Sequence, residues 1–183
     1  MCMRGGLATR PVGKGKKGDV LDDGWRPPVY LFLAGKERPA SQGGEIHVRI
    51  LVLNASPKGD NSATVQTALY LQALHPEHDF VFLPVGQRIK AYEKDFSPVR
   101  EALQGAELIL FCYPVYTFLA PYQLHRLIEL IKADGVDLSG KFASQITTSK
   151  HFYDVTAHRY VEENCFDLGM QAVRGLSADM EDL

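Results

Sequence analysis

Ser56, Lys58, Asn61, Ser62 and Thr64 bring hydroxyls, an amide and a cation together in the stretch Asn54-Ala55-Ser56-Pro57-Lys58-Gly59-Asp60-Asn61-Ser62-Ala63-Thr64. Ile50-Leu51-Val52-Leu53 runs into this stretch as a strand buried on both faces, and apolar residues at helical spacing leave it from Val65 to Leu74. A strand feeding a polar loop at a helix N-terminus gathers unpaired backbone N–H groups at one point, with the positive end of the helix dipole behind them. That geometry binds phosphate. The same side chains serve a plain helix cap equally well. This loop carries neither G-x-x-x-x-G-K-[ST] nor G-x-G-x-x-G, which argues against a nucleoside-triphosphate loop and the usual dinucleotide fingerprint there.

A second group lies in Tyr113-Pro114-Val115-Tyr116-Thr117-Phe118-Leu119-Ala120-Pro121. Two prolines stiffen this connection, and Tyr116 and Phe118 place large rings where a loop is normally polar. Rings at a crevice suit a flat aromatic ligand; the alternative is that both fold back into the core. A third group, Thr147-Thr148-Ser149-Lys150-His151-Phe152-Tyr153-Asp154, offers hydroxyls, a cation and two more rings. Other chemistries have less support. Cys2, Cys112 and Cys165 form no C-x-x-C pair; Cys112 reads as a core thiol and Cys165 as structural. His151 and His158 belong to no H-E-x-x-H, so a metal site is not expected, and His151 reads as a solvated loop histidine.

The elements that must position these groups alternate. Strands are expected over 46–53, 78–85, 108–113, 142–147 and 171–176, and helices over 65–74, 95–104, 122–132 and 155–168. His75-Pro76 ends the first helix, Ser97-Pro98 supplies a cap and a first-turn proline to the second, and Leu124, Leu127, Ile128 and Ile131 stripe the third. The fold class is α/β: a doubly wound, five-stranded parallel sheet in the order 2-1-3-4-5, with ligands at the carboxyl ends of strands one and three. The domain spans 45–183. Residues 1–44, rich in glycine, basic, and apolar only at Val29-Tyr30-Leu31-Phe32-Leu33, read as a poorly ordered extension.

The chain ends shortly after the fifth strand, so the helix that usually closes such a fold is expected to be missing. That would leave on the order of 400 Å² of apolar sheet uncovered, worth roughly 10 kcal/mol. A fragment, pairing of two copies, or coverage by part of 1–44 would each answer it.

With 183 residues, 45% hydrophobic and 23% charged, the composition is that of a globular domain with a core. A net charge of −2 gives no electrostatic case for nucleic acid. No apolar run approaches the roughly 18 residues of a membrane span, and a cytoplasmic protein is expected.

Taken together, the loops resemble those of flavodoxin-like NAD(P)H-dependent FMN reductases. NASPKGDNSAT is similar to their phosphate loop, usually G-S-P-R-x-x-S-x-T, and PVYTFLAP to their second flavin loop, P-x-Y-x-x-x-x-P. Ala55 stands where glycine is common and Lys58 where arginine is common. The resemblance implies bound FMN, with NAD(P)H as co-substrate and a small-molecule electron acceptor such as a quinone. It assigns the phosphate to Ser56, Lys58, Asn61, Ser62 and Thr64, and the isoalloxazine to Pro114, Val115, Tyr116, Thr117 and Phe118. The third wall, matched by order alone, supplies Thr148, Ser149 and Tyr153. The flavin N5 carries the chemistry, so no catalytic side chain is implied, and a homodimer is. Two alternatives stand beside this: an electron-carrier flavodoxin, which would be more acidic around the flavin, and an incomplete, inactive domain of the same fold.

Overall fold

The structure, a computed structural model, describes residues 46–150 and 153–180. The extension expected over 1–44, with Cys2, and the loop residue His151 lie outside the described residues. β1 (Arg49–Asn54) is buried at every position after Arg49, as an apolar strand covered on both faces must be. β2 (Asp79–Leu83) and β3 (Leu108–Pro114) flank it in parallel, with Val52 opposite Phe82 on one side and Leu110 on the other. β4 (Phe142–Ser149) lies beyond β3, and the order β2-β1-β3-β4-β5 is the one expected.

The far edge departs from the expected single strand. β5 (Gln171–Ala172) pairs with Phe142-Ala143 and β6 (Leu176–Asp179) with Ile146–Ser149, both parallel to β4. The residues between them leave the ladder as a bulge, and the edge runs on to Asp179.

On one face of the sheet α2 (Val85–Tyr92), α3 (Ser97–Gly105), α4 (Tyr122–Asp134) and α5 (Val155–Asp167) close the main core over Leu51, Leu53, Ile109, Phe111 and Tyr113. Helical spacing selects what they bury: Val85 and Ile89, Val99 and Leu103, then Ala157, Val161 and Cys165. The expected stripe Leu124, Leu127, Ile128 and Ile131 is buried as read. α2 was not expected; it is a two-turn element beginning where the second strand was expected to end. Ser97 is not a cap but the first residue of α3. Phe96 takes the cap position and the Ser97 N–H donates to Asp95 Oδ1 at 3.0 Å.

α1 (Ala63–Leu74) covers the other face through Thr64, Val65 and Ala68. Among the described residues no helix follows β6. The apolar side chains at the centre of this face are nevertheless closed off: Val48, Ile50, Leu108, Leu110, Phe142 and Ile146 are each at most 6% exposed. No helix among the described residues is long and apolar enough to cross a membrane.

Candidate functional site

Parallel pairing places the loops after β1, β3 and β4 at one rim of the sheet, because Asn54 is opposite Cys112 and Pro114 opposite Thr148. The first loop is fixed by its own short bonds. Asn54 Oδ1 accepts from the Ser56 N–H at 3.1 Å, and Ser56 accepts from Lys58 N–H at its hydroxyl (3.3 Å) and from Gly59 N–H at its carbonyl (3.1 Å). A 3-10 turn over Gly59–Asn61 leads to Ser62, whose carbonyl accepts the first helical bond, from Gln66 N–H. The N–H groups of Ala63, Thr64 and Val65 precede that first rung and have no acceptor within the helix.

Ser62 occupies the cap position without capping: its hydroxyl lies 2.7 Å from Thr64 Oγ1. Two hydroxyls sharing one hydrogen bond retain one further proton for an acceptor. Ser56, Ser62 and Thr64 are buried, while Lys58 and Asn61 are exposed. Beside them Asn54 Nδ2 is a buried donor without a partner, an arrangement that costs roughly 1–3 kcal/mol unless an acceptor arrives. Ala55 takes the usual glycine position at no penalty: its methyl is fully buried and its N–H donates to Cys112 O at 2.9 Å.

Two glycines set the position of this loop. Gly59 has φ +60, a conformation that a side chain opposes. Gly86, at the start of α2, lies so close that a Cβ there would stand 2.5 Å from the Ser56 carbonyl carbon and nearer still to its oxygen. Sequence reasoning missed both Asn54 and Gly86. The available signals were an amide ending an apolar strand and a glycine following the neighbouring strand at the same rim.

The second loop stays on the sheet through Val115 N–H, which donates to Thr148 O at 2.8 Å. Tyr116 and Leu119 then exchange both backbone bonds, at 2.9 and 3.0 Å, closing a two-residue turn over Thr117 (φ 49) and Phe118 (φ 71). Such a turn ordinarily takes Asn-Gly, and a β-branched residue in the left-handed region is strained. Strain of this kind gathers at functional sites. Its effect here is to turn Tyr116, Phe118 and Leu119 outward, each about half exposed, which removes the alternative that the rings fill the core.

The third loop is shorter than expected, because β4 continues through Ser149 and buries Thr148 and Ser149 within the sheet. Tyr153 is exposed, and its ring lies 5.2 Å from that of Phe118, so the second and third loops meet through aromatic rings. Beneath them the face of β4 toward α5 carries a buried polar chain. Tyr113 OH donates to Gln145 Oε1 at 2.6 Å, Gln145 Nε2 donates to His158 O at 3.1 Å, and His158 Nε2 meets Thr147 Oγ1 at 2.7 Å. Burial, followed by the Asp154 charge, pushes the Tyr113 phenol up, so it stays protonated. Burial likewise pushes His158 down, partly offset by Asp154. Both described thiols are buried; Cys112 is pushed up, and Cys165 up to about 12, so neither is a nucleophile near neutrality.

A phosphorylated planar molecule fits what is present. Open N–H groups, a spare hydroxyl proton and the unpaired Asn54 amide lie in one loop, and half-exposed rings lie in the next. No curated protein matches this sequence. Among solved structures, an FMN-dependent NADH-azoreductase from Bacillus anthracis, in complex with FMN, is similar at a TM-score of 0.56 and 14% identity, over 74% of this chain and 89% of that one. A flavoenzyme NAD(P)H:(acceptor) oxidoreductase from Paracoccus denitrificans gives 0.55 and 18%, over 73% and 76%. A flavodoxin from the domain Archaea gives 0.51 and 12%, over 73% and 85%. At these identities the likeness is one of fold. In sequence, residues 48–176 match the family described as flavodoxin-like fold. Since that match runs from Val48, one residue before β1, into the first residue of β6, the chain belongs to the flavodoxin-like fold family.

Proposed function

We propose that this chain is an FMN-dependent NAD(P)H oxidoreductase that passes electrons to a small acceptor such as a quinone or a free flavin, working as a homodimer in the cytoplasm. The observation that carries the reading is one rim with two unlike sides: unpaired N–H groups at the start of α1, and outward-facing rings in the strained turn at Thr117-Phe118. When bound, FMN would supply two-electron chemistry at its N5, accepting hydride from a nicotinamide and reducing an acceptor.

The chain's own residues bind and orient. The N–H groups of Ala63 to Val65 and the Ser62–Thr64 hydroxyl pair would hold the phosphate, and exposed Lys58 would offset its charge as a point cation. Pro114 and Val115 hold the second loop on β4, so that Tyr116 and Phe118 can lie against a ring system while Thr117 takes the strained φ that aims them. Thr148 and Ser149 hold the third wall within the sheet, and Tyr153 closes it against Phe118. No acid or base is needed for hydride transfer. Tyr116, Phe118, Leu119, Tyr122 and Tyr153 together form an exposed apolar rim that a second copy would cover, which supports a dimer.

The test is a visible spectrum of the purified protein. Bands of oxidised flavin, bleached on adding NAD(P)H and restored by a quinone, are expected. Flavin that stays oxidised with either nicotinamide would favour the carrier, and no flavin after reconstitution would overturn the reading.

A further inference from the structure

His158 is a buried titratable group that the proposed chemistry does not use. Along the face of β4 toward α5, Gln145, Thr147 and Ser149 follow Ala143, so a strand of the core presents polar side chains beneath a helix. Apolar residues would fill that space without any polar group to satisfy. The imidazole is where the polar groups converge. Its Nε2 lies 2.7 Å from Thr147 Oγ1 and 3.5 Å from Asp154 Oδ2, while its backbone carbonyl accepts from Gln145.

Thr147 has one hydroxyl proton. Directed at the Leu176 carbonyl, 3.4 Å away in β6, it leaves the oxygen to accept from His158. Nε2 then carries the hydrogen, with the Asp154 carboxylate beside it, and any second proton is taken at Nδ1. The imidazole thus joins α5 to β4, and through Thr147 to β6, while the backbone carbonyl of the same residue ties α5 to Gln145 and so to Tyr113 of β3. The next residue along β4 is Thr148, whose carbonyl holds Val115 N–H at the base of the second loop.

We propose that His158 is a positioning residue: by fixing Thr147 it sets the end of β4, and so holds the second and third loops in register with each other. The groups facing it are Asp154 and Glu162 on its own helix, Arg174 from the connection between β5 and β6, and Tyr113 from β3 through Gln145; Gln145 and Thr147 on β4 do not titrate. A proton on Nδ1 draws Asp154, at the start of α5, toward the ring and shifts Thr147 with it. The inference stands on contacts within the chain; only its flavin arm rests on the function proposed above.

The test uses the full chain labelled with nitrogen-15, without flavin, as wild type, His158→Gln and His158→Leu. The amides of Val115, Thr147, Thr148 and Met180, the last donating to Ser149 O at 2.9 Å, and the His158 ring are followed from pH 8 to about 5, a range spanning the ordinary histidine value. In wild type the four amides shift with the midpoint of His158. In His158→Leu they are displaced and no longer respond to pH. In His158→Gln, which keeps an N–H donor toward Thr147, they return to the wild-type positions and are also insensitive to pH. Thr147→Val, which removes the acceptor and keeps the ring, gives the displacement seen with leucine and serves where His158→Leu fails to fold. Wild-type amides that ignore the histidine, or Val115 and Thr148 amides unmoved in both His158→Leu and Thr147→Val, would overturn the proposal. In the flavin arm, FMN binding is weakened about tenfold in His158→Leu and less than about threefold in His158→Gln, the scale of one hydrogen bond. If no variant binds FMN but the amides behave as described, the cofactor reading falls and the positioning role stands.

Discussion

Replacing Gly86 with alanine tests whether α2 sets the position of the phosphate loop. The new Cβ would stand 2.5 Å from the Ser56 carbonyl carbon, nearer to the carbonyl oxygen, and 3.2 Å from the Ala55 carbonyl carbon. All three are backbone atoms, so no side chain can swing aside. Either α2 or the loop must move, by about 1 Å, to restore ordinary contact distances in a close-packed interior. Overpacking of this kind costs roughly 1–3 kcal/mol, while alanine in place of glycine in a helix returns about 1 kcal/mol. The net loss of stability is therefore modest, up to about 2 kcal/mol, but the displacement falls on Ser56 and the N–H groups that follow it. A misplacement of about 1 Å can cost on the order of 100-fold where geometry matters. Urea unfolding should show the small loss, and isothermal titration with FMN should show affinity weakened about 10- to 100-fold. Gly105→Ala is the control, since its nearest neighbour is the end of the Arg49 side chain at 3.0 Å, which can shift. Flavin affinity unchanged in Gly86→Ala, or weakened equally in both variants, would refute the reasoning.

Thr117→Gly should relieve part of the left-handed strain in the second loop, raising stability by about 0.5–1 kcal/mol net of the added chain entropy, read as a higher thermal midpoint. Ser62→Ala removes the partner of the buried Thr64 hydroxyl; it should lose about 1–2 kcal/mol in urea unfolding and weaken FMN binding at least about tenfold. His158 gives the acid side of the stability profile a defined sign. Its pKa in the folded chain is lowered from 6.5 by burial, so the unfolded chain binds the proton more readily. Stability is unaffected well above pH 6.5, falls as the pH drops below that value, and stops falling below the folded-state pKa. Urea midpoints from pH 8 to 5 should show this fall in wild type and lack that part of it in His158→Gln.

The parallel order was legible because each strand is an apolar run and each connection carries helical spacing; the core stripe of α4 could be read residue by residue. α2 escaped because it directly follows β2 and shows only Val85, Ile89 and Tyr92 as a buried stripe, too few turns to separate from the end of a strand. The fifth strand was placed correctly but not its interruption, which depends on how residues 173–175 meet β4 and not on their own pattern. Around the candidate site, the expectation that the hydroxyl-rich and ring-bearing loops share one rim followed from the parallel order, and the pairing of β1, β3 and β4 places them there. The turn at Thr117-Phe118 was not legible, because nothing in Thr-Phe suggests the positive φ that the paired Tyr116 and Leu119 require. His158 was set aside for want of metal spacing. Its partners Gln145 and Thr147 lie on another element, and only the folded chain brings them together.

The central claim is that one rim of the sheet grips a phosphate and a flat ring system at once. Calorimetric titration of the flavin-free protein with FMN and, separately, with riboflavin tests it most directly. FMN is expected to bind at least about 100-fold more tightly, a difference of about 2.7 kcal/mol supplied by the loop before α1. Equal affinity for the two, or heat from neither, would contradict it.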